Sequence, residues 1–433
     1  MKISKFQLFT FAAFILFIIV GVAAFATYRG SGKNDALSAI TIWGTYPKSA
    51  FDSYVAKVNL TLPQQIQVKY VQESEQAFLS DFVAALARGN GPDAVLIPAD
   101  MLLSTEDKLT SIPYNILSQR DFMASFIDEA RVYLGTGGVL GMPFAVDPMV
   151  MYWNRDMYNA AGIALPPKFW DEFAVINSKI TMKDDNGTIS KSAVALGDFT
   201  NVENAREILG SLFLQVGNPV TKMYGENDVR SALQAYGSTS PIPQISFFTQ
   251  FVDPGNINYS WNRSWPNSRT AFLSGKLATY FGFSSELFAL RNKNPNLNFD
   301  VTPLPQARTD GVKAVYGKLY GFSITKASQN ANAAYQIMYL LTLPQNLATL
   351  SGDTYLPSVS RGVIAGGSTD PYITIFNEQA LISRTWLDAD PGQSSDLMAQ
   401  MIGAITSGQK AAYQALSDFN NQYDVLLRSA FGQ

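Results

Sequence analysis

Residues 39–98 read AITIWGTYPKSAFDSYVAKVNLTLPQQIQVKYVQESEQAFLSDFVAALARGNGPDAVLIP and change character at short intervals. Three segments are short β-rich or alternating runs, namely Ala39–Gly44, Gln65–Tyr70 and Asp93–Pro98. Between them, Lys48–Val58 and Ser74–Arg88 carry apolar residues at helical spacing. Strands that alternate with helices through short turns are typical of an α/β lobe with a largely parallel sheet. The stretch therefore predicts an α/β fold.

The same stretch points to a binding site. In sheets of this kind, ligands lie beyond the carboxyl ends of the strands. Trp43 is close to the end of the first predicted strand, Asp100 follows the third, and Asp147 follows the apolar run at 142–145. A core tryptophan or a turn aspartate is the ordinary interpretation of each residue alone. Their shared position at strand ends favours a site.

Length and charge limit the classes of protein. A chain of 433 residues is too long for one ordinary core and predicts two domains or two lobes. Charged residues make up 15% of the chain, compared with about 25% in a typical soluble protein. The net charge is −3 and no basic block is present, which argues against a nucleic-acid partner.

The chain contains no Cys and no His. This excludes disulfides, thiolate nucleophiles, metal sites built on Cys or His, and a Ser-His-Asp triad. Residues 183–192, KDDNGTISKS, favour a hairpin turn over a calcium loop, because the later bidentate Glu is missing. Any catalysis would have to rest on carboxylates, Lys, Tyr or a metal held by oxygen ligands, which makes an enzyme the less expected class. We predict a protein that is not an enzyme and has no cofactor, no catalytic residue and no metal site.

The N-terminus predicts export. Lys2 and Lys5 precede the apolar run Phe9–Ala26, FTFAAFILFIIVGVAAFA, which is just long enough to span a membrane. We expect an uncleaved signal anchor and tether over residues 1–35, with the globular part outside the cytoplasm. Because 24–26 resembles a cleavage site, a cleaved signal and a secreted or periplasmic protein remain the alternative. The absence of cysteine rules out a lipid-modified cysteine.

Further along, helices are predicted at Asn201–Gln215 and at about 228–236. Residues 269–286, RTAFLSGKLATYFGFSSE, predict the end of a helix at Gly275, a strand at 277–281, a tight turn at Gly282 and a new helix from Glu286.

Several runs together resemble the family 1 extracellular solute-binding proteins, the sugar-binding receptors of ABC importers, which are similar in fold to maltose-binding protein. The matching runs keep the family's order along about residues 37–428. They are Pro143-Phe144 to Asn154, MYNAAGI at 157–163, PKFWDEF at 167–173, the run at 269–286, GFSITK at 321–326 and YLPS at 355–358. Phe169 departs from the pattern, since it replaces a usual Thr helix cap.

The resemblance implies an α/β, two-lobed periplasmic-binding-protein fold of the type II clamshell kind, preceded by one N-terminal hydrophobic helix. It implies lobe 1 at 37–147 plus about 297–342, and lobe 2 at 148–296 plus about 343–433. Ligand would bind between the lobes of a monomer, and lobe closure would signal to the permease.

Sugar binding needs aromatic faces for the rings and planar polar groups for the hydroxyls. By resemblance, the cleft-facing segments contain Trp43, Asp100, Asp147, the 280–283 turn, Tyr320 and Trp386. Aromatic residues make up 12% of the chain. The complete set of candidate ligand-binding residues is Trp43, Asp100, Asp147, Trp265, Phe283, Tyr320, Tyr355 and Trp386.

The predicted function is that of an extracytoplasmic receptor that delivers a small solute, foremost a sugar or oligosaccharide, to an ABC importer. No cluster of Arg or Lys is evident at strand ends, which favours a neutral saccharide over an anion. Two alternatives remain open. One is a sensor that binds solute without transport, and the other is a carbohydrate-active enzyme that uses a carboxylate pair such as Asp100 and Asp147.

Overall fold

The computed structural model describes residues 39–63, 65–225, 228–234, 236–237, 240–308 and 312–431. The strands within these ranges are β1 Ile40–Gly44, β2 Val68–Gln72, β3 Ala94–Pro98, β4 Leu109–Thr110, β5 Ile112–Pro113, β6 Gly138–Val139, β7 Met142–Asn154, β8 Met182–Lys183, β9 Ile189–Val194, β10 Thr221–Gly225, β11 Asp228–Ser231, β12 Leu277–Phe283, β13 Phe299–Pro303, β14 Val315–Thr325 and β15 Ser383–Arg384. The predicted anchor Phe9–Ala26 lies outside the described residues.

The α-helices in the same ranges are α1 Lys48–Thr61, α2 Glu75–Ala87, α3 Gln119–Ser125, α4 Arg155–Ala160, α5 Phe173–Ile180, α6 Ala205–Gln215, α7 Ile242–Thr249, α8 Ser268–Leu273, α9 Glu286–Lys293, α10 Ala331–Leu341, α11 Pro344–Thr354, α12 Arg361–Ala365, α13 Pro371–Leu381, α14 Pro391–Thr406 and α15 Ala412–Ser429. Short 3-10 helices lie at Ala99–Met101, Glu106–Lys108, Asp128–Tyr133, Trp170–Glu172 and Gln250–Val252. No helix in the described part of the chain is long and apolar enough to cross a bilayer.

One long sheet runs through the molecule in the order β2-β1-β3-β14-β7-β12-β9-β8. Strands β1, β2 and β3 are parallel to one another, as the opening stretch predicts. Strand β14 is antiparallel to β3 and to the first half of β7. The second half of β7 pairs with β12 and β13 instead. The long strand β7 therefore belongs to two groups of strands.

Buried apolar residues form two cores that divide at these long strands. Strand β7 contributes Val146 to the first core and Met149 to the second. Strand β14 contributes Tyr316 to the second core and Leu319 to the first. Helix α13 also reaches both cores, since Phe376 packs in the second core and Ala380 in the first. Two lobes joined through shared elements are thus present, and the predicted α/β two-lobed fold is confirmed.

Chain segments are distributed between the cores differently from the expected ranges 297–342 and 343–433. Phe299 and Val301 pack in the second core, because β13 extends the second group of strands. Leu347 and Leu350 of α11 pack in the first core. The exact limits of the lobes stay a prediction.

Two local predictions can be compared directly with the structure. The helix predicted at about 228–236 is wrong: residues 228–231 form strand β11, which pairs with β10 in an antiparallel hairpin. The run at 269–286 does form a helix, a strand and a helix, with Gly275 in a left-handed turn at φ +71°. Gly282, by contrast, lies within β12. An added Cβ there would lie 2.6 Å from the Tyr280 ring, so close packing rather than a turn requires glycine.

Candidate functional site

The candidate site lies where the two lobes meet. Strands β1 and β3 end at Gly44 and Pro98, and β14 approaches them so that Tyr320 pairs with Pro98. Asp147 on β7 pairs with Lys318 on β14 at the point where both strands leave the first lobe. The carboxyl ends of the parallel strands therefore face the strands β7 and β14, which cross between the lobes. Ligands are expected at this edge of such a sheet.

A buried ion network connects the lobes at this place. Arg206, near the start of α6 in the second lobe, donates from Nη2 to Asp388 Oδ2 at 2.8 Å, and its Nη1 lies 3.6 Å from Asp100 Oδ2 of the first lobe. The side chains of Arg206, Asp100 and Asp388 are 5%, 6% and 0% exposed. The backbone N–H of Asp388 also donates to the carbonyl oxygen of Asp100 at 3.1 Å. Ion pairs and a main-chain hydrogen bond thus join the two lobes.

Two aromatic rings enclose the same arginine. The Arg206 guanidinium lies 4.5 Å from the centre of the Trp386 ring, within the range of a cation–π contact. Trp386 packs edge-on against Tyr316 at 5.1 Å. The Tyr316 hydroxyl donates to Asp100 Oδ2 at 3.0 Å. We call Asp100, Arg206, Tyr316, Trp386 and Asp388 the interlobe cluster.

Burial governs the ionisation of the interlobe cluster. It raises the pKa of Asp100, and the charge of Arg206 opposes that rise. Arg206 also contacts Glu207 Oε1 at 3.2 Å and donates from Nε to Ser394 Oγ at 3.3 Å. The positive charge is therefore surrounded by carboxylates. Such a group of paired charges can hold or orient a ligand.

A second polar group lies where β7 crosses from the first lobe to the second. The Asp147 carboxylate accepts hydrogen bonds from Ser284 Oγ at 2.7 Å and from the Ser285 backbone N–H at 3.0 Å. Burial raises the pKa of Asp147, and these hydrogen bonds oppose the rise. Ser284 therefore uses its side chain to bind Asp147. Phe283 is half-buried beside this group and packs 6.1 Å from the Tyr316 ring.

Aromatic side chains cover the first-lobe wall. Tyr320 packs edge-on against Tyr46 at 5.2 Å, and Lys318 Nζ lies 5.8 Å from the centre of the Tyr320 ring. Lys318 is itself paired with Glu75. Trp43 is half-buried in β1, directly before the strand ends. This wall therefore combines half-exposed aromatic surface with a neutralised cation.

The structure groups some of the predicted residues and separates others. Asp100 and Trp386 lie in the interlobe cluster, while Asp147 and Phe283 lie in the adjacent polar group. Trp386 is only 4% exposed and forms part of the floor. Trp265 packs against Trp261 at 5.0 Å. Tyr355 packs against Phe288 at 4.8 Å and bonds to Asp370. The ligand contacts predicted for Trp265 and Tyr355 stay predictions.

Sequence reasoning missed Arg206, Tyr316 and Asp388. Arg206 precedes Glu207 in an otherwise apolar helix, a pattern that usually indicates a solvated first turn. Its partner Asp388 is 182 positions away along the chain. The local signal that was available is the run AREILGSLFLQ, in which a charged pair begins a helix that is apolar on every side.

Comparisons with known proteins agree with this architecture. A family model described as bacterial extracellular solute-binding protein matches residues 52–374. A maltooligosaccharide ABC transporter solute-binding lipoprotein of Streptococcus pneumoniae (strain ATCC BAA-255 / R6) is 22% identical over 413 residues, which cover 90% of this chain and 89% of the relative.

Two further matches differ in what their names say they bind. The sn-glycerol-3-phosphate-binding periplasmic protein of Shigella flexneri serotype 5b (strain 8401) is 22% identical over 350 residues, or 75% of each chain. A solved structure of a cyclo/maltodextrin-binding protein complexed with maltotetraose matches with a TM-score of 0.71 and 17% identity. That match covers 94% of this chain and 99% of the other.

Proposed function

This chain belongs to the bacterial extracellular solute-binding proteins, and from that premise we propose that it binds an uncharged saccharide between its lobes and delivers it to an ABC importer. The observation that carries the choice of ligand is the pairing of Arg206 with Asp388, Asp100 and Glu207. Unpaired donors with positive charge favour an anionic ligand. A saccharide instead needs aromatic faces and neutral or paired polar groups.

The relatives support two ligand classes. Relatives named for maltooligosaccharide or maltodextrin binding favour a saccharide, whereas the glycerol-3-phosphate-binding relative makes a phosphorylated polyol the second candidate. Lys318 is a further cation of this region, and it is paired with Glu75. We therefore rank the phosphorylated ligand below the uncharged one.

Within this proposal, the half-buried aromatic residues of the walls contact the ligand and the buried residues support them. Trp43, Phe283 and Tyr320 are the proposed contact residues, together with the carboxylate of Asp147. Asp100 and Trp386 form the floor beneath them. We further propose that the first lobe comprises 39–147 and 317–365, and the second lobe 148–316 and 371–431.

Thermal unfolding with a panel of solutes tests the proposal. The panel contains maltotetraose, mannobiose, glycerol 3-phosphate, inorganic phosphate, amino acids and polyamines. A solute that binds the native state adds about 2.7 kcal/mol at a hundredfold excess over Kd. We expect stabilisation by an uncharged saccharide, which is recovered intact. Stabilisation by glycerol 3-phosphate alone would select the second candidate, and hydrolysed saccharide would select an enzyme.

We also propose that the apolar run Phe9–Ala26 keeps the protein at the outer face of the membrane. The Streptococcus relative is named a lipoprotein, but this chain has no cysteine to carry a lipid. An apolar segment of this length is able to anchor a protein. Membrane fractionation of the full chain tests this: the protein should remain with the membrane after a high-salt wash, whereas release of a shortened mature form would indicate cleavage.

A further inference from the structure

A buried carboxyl group lies behind the strands that connect the lobes. Glu129 belongs to the 3-10 helix Asp128–Tyr133 and is 3% exposed. Neither of its carboxyl oxygens has a hydrogen-bond partner among the described residues. Buried polar groups are nearly always paired, so an acid in this state calls for an explanation.

Glu129 packs where two of the connecting strands meet. Residues Val315–Tyr316 of β14 pair with Ser383–Arg384 of β15, and Gly317 follows directly. A Cβ added at Gly317 would lie 2.8 Å from Glu129 Oε2 and 2.7 Å from Ser383 Oγ. The carboxyl group and Ser383 therefore both lie against the bare backbone of Gly317. Between Tyr316 and Leu319, β14 changes from the second core to the first.

Glu129 lies at the boundary between the two cores. The helix that holds Glu129 packs in the first core through Ala130. Ser383 of β15 lies between Ala380, which packs in the first core, and Trp386, which packs in the second. If β15 and the 3-10 helix separated during a rotation of the lobes, the carboxyl group of Glu129 would be exposed to water.

Burial favours the neutral form of Glu129 while it is enclosed. Burial raises its pKa well above the ordinary value of 4.5, Arg384 of β15 opposes this rise, and Asp100 adds to it. The guanidinium of Arg384 bonds to Asp128 at 3.3 Å and is only partly buried. Tyr133 on the same 3-10 helix is a further titratable neighbour, and burial raises its pKa as well. β14 contributes the backbone of Gly317 at this contact.

We propose that Glu129 couples a proton to lobe movement: it is protonated when the lobes are closed on it and ionises when they separate. The proposal extends the proposed function, because it concerns the closure that accompanies solute binding. Asp100 influences Glu129 and also belongs to the interlobe cluster, so the hinge and the binding region share an electrostatic connection.

The direction of the pH effect follows from linkage. The closed form binds the proton more tightly than the open form, so raising the pH favours the open form. One proton changes the closing equilibrium by at most about tenfold per pH unit, within the interval between the two pKa values of Glu129. Below that interval, closure becomes independent of pH.

Spin labelling of the full chain tests the proposal without any ligand. Because the chain has no cysteine, Ser80→Cys in the first lobe and Lys276→Cys in the second give a single labelled pair at exposed positions. Electron-electron distances are measured from pH 5 to pH 9 with native Glu129, with Glu129→Gln and with the control Glu378→Gln, which changes an exposed glutamate on α13. We expect the open fraction to rise with pH in the parent and the control, and to stay low and constant in Glu129→Gln.

Two outcomes would overturn the proposal: the same pH dependence with and without Glu129, or no pH dependence in the parent. An infrared measurement covers the case in which Glu129→Gln misfolds. The parent should show the absorption of a protonated carboxyl at neutral pH, and that band should be insensitive to Glu378→Gln. A parent with no such band contradicts the proposal. Since no solute is added, failure here leaves the choice of ligand untouched.

Discussion

A single buried arginine illustrates how paired charges shape the region between the lobes. Arg206 lost its hydration on burial, and carboxylates on both lobes replace the lost water. Such a network contributes little net stability compared with an apolar core, but removing one partner leaves the others charged and unpaired. The network therefore fixes the relative positions of these side chains, and breaking one pair lowers the free energy of unfolding.

Arg206→Ala should lower the free energy of unfolding by about 3–5 kcal/mol, because Asp100 and Asp388 are left buried without a counter-charge. Urea denaturation at neutral pH measures this change. Lys410→Ala removes the exposed pair with Asp418 and should cost less than about 1 kcal/mol. Equal effects of the two substitutions would show that Arg206 is accessible to water in solution.

Glu129→Gln should change how stability depends on pH. Since the folded-state pKa of Glu129 is raised above its ordinary value of 4.5, the native protein binds more protons than the unfolded chain. Its contribution is therefore present at low pH and is lost as pH rises towards the folded-state pKa. Relative to the parent, the glutamine variant should become more stable with rising pH, by at most about 1.4 kcal/mol per pH unit. Denaturation curves from pH 4 to pH 9 measure the difference, which should be absent in Glu378→Gln.

The sequence placed candidate residues at strand ends correctly only where the strands are short. Trp43 and Asp100 do lie at the ends of β1 and β3, but Asp147 lies within β7, because this strand continues from Met142 to Asn154 instead of ending after residue 145. The sequence showed no cluster of Arg or Lys at strand ends, but Arg206 and Lys318 do reach the region. Their neutralisation depends on partners distant in sequence, which local spacing does not reveal.

Among the elements, strand β14 is closely packed on the side of Gly317. Gly317 lets the 3-10 helix with Glu129 and strand β15 approach the same backbone position. A side chain there would separate β14 from one of them. Glycine at this position therefore serves close packing between a strand and its neighbours.

Gly317→Ala should destabilise the protein by about 1–3 kcal/mol, since its Cβ would lie 2.7 Å from Ser383 Oγ and 2.8 Å from Glu129 Oε2. Gly352→Ala is the matched control. Gly352 lies within α11 and a Cβ there has no neighbour within 4 Å, so alanine should stabilise the helix by about 0.5–1 kcal/mol. The free energies of unfolding of both variants are compared with that of the parent. A stabilising Gly317→Ala would contradict the close packing of Gly317 against Ser383 and Glu129.

Elements were predicted best where the spacing of apolar residues kept a helical or strand period over many consecutive residues. The opening alternation gave β1 to β3 and the two helices between them. The hairpin of β10 and β11 was missed, because only Val229 is buried in β11 and the strand is held by contacts to α15, including a bond from the Ser231 N–H to Asp424. Tertiary contacts, which a local pattern does not contain, thus decide this element.

At the scale of the whole molecule, the length of the chain and the family resemblance predicted two lobes, but the packing of the late segments differs from the expected ranges. β13 joins the second lobe because β7 is long enough to pair with β14 through its first half and with β13 through its second. The lengths of the strands are set by pairing between distant segments. The positions at which the chain crosses between the lobes follow from these lengths. The resemblance to a family supplied the two-lobed arrangement that periodicity alone could not.

The contacts between the lobes also predict how a ligand-free molecule behaves. Asp100 joins the lobes through its side chain, which accepts from Tyr316 and lies near Arg206, and through its carbonyl, which accepts from Asp388. Asp100→Ala removes the two side-chain contacts and keeps the main-chain one. The loss of a hydrogen bond to a charged group corresponds to about 1.5–3 kcal/mol. We therefore expect the ligand-free population to shift towards the open form by at least about tenfold.

Spin labels at Ser80→Cys and Lys276→Cys measure this shift as a longer distance between the lobes. The control Asp353→Ala removes an ion pair with Lys57 that lies entirely within the first lobe, so it should leave the distance unchanged. A saccharide that binds Asp100→Ala should restore the short distance at a higher concentration than the parent requires, because part of the binding free energy now closes the lobes. An unchanged distance in Asp100→Ala would mean that the main-chain bond and the remaining contacts suffice to hold the lobes together.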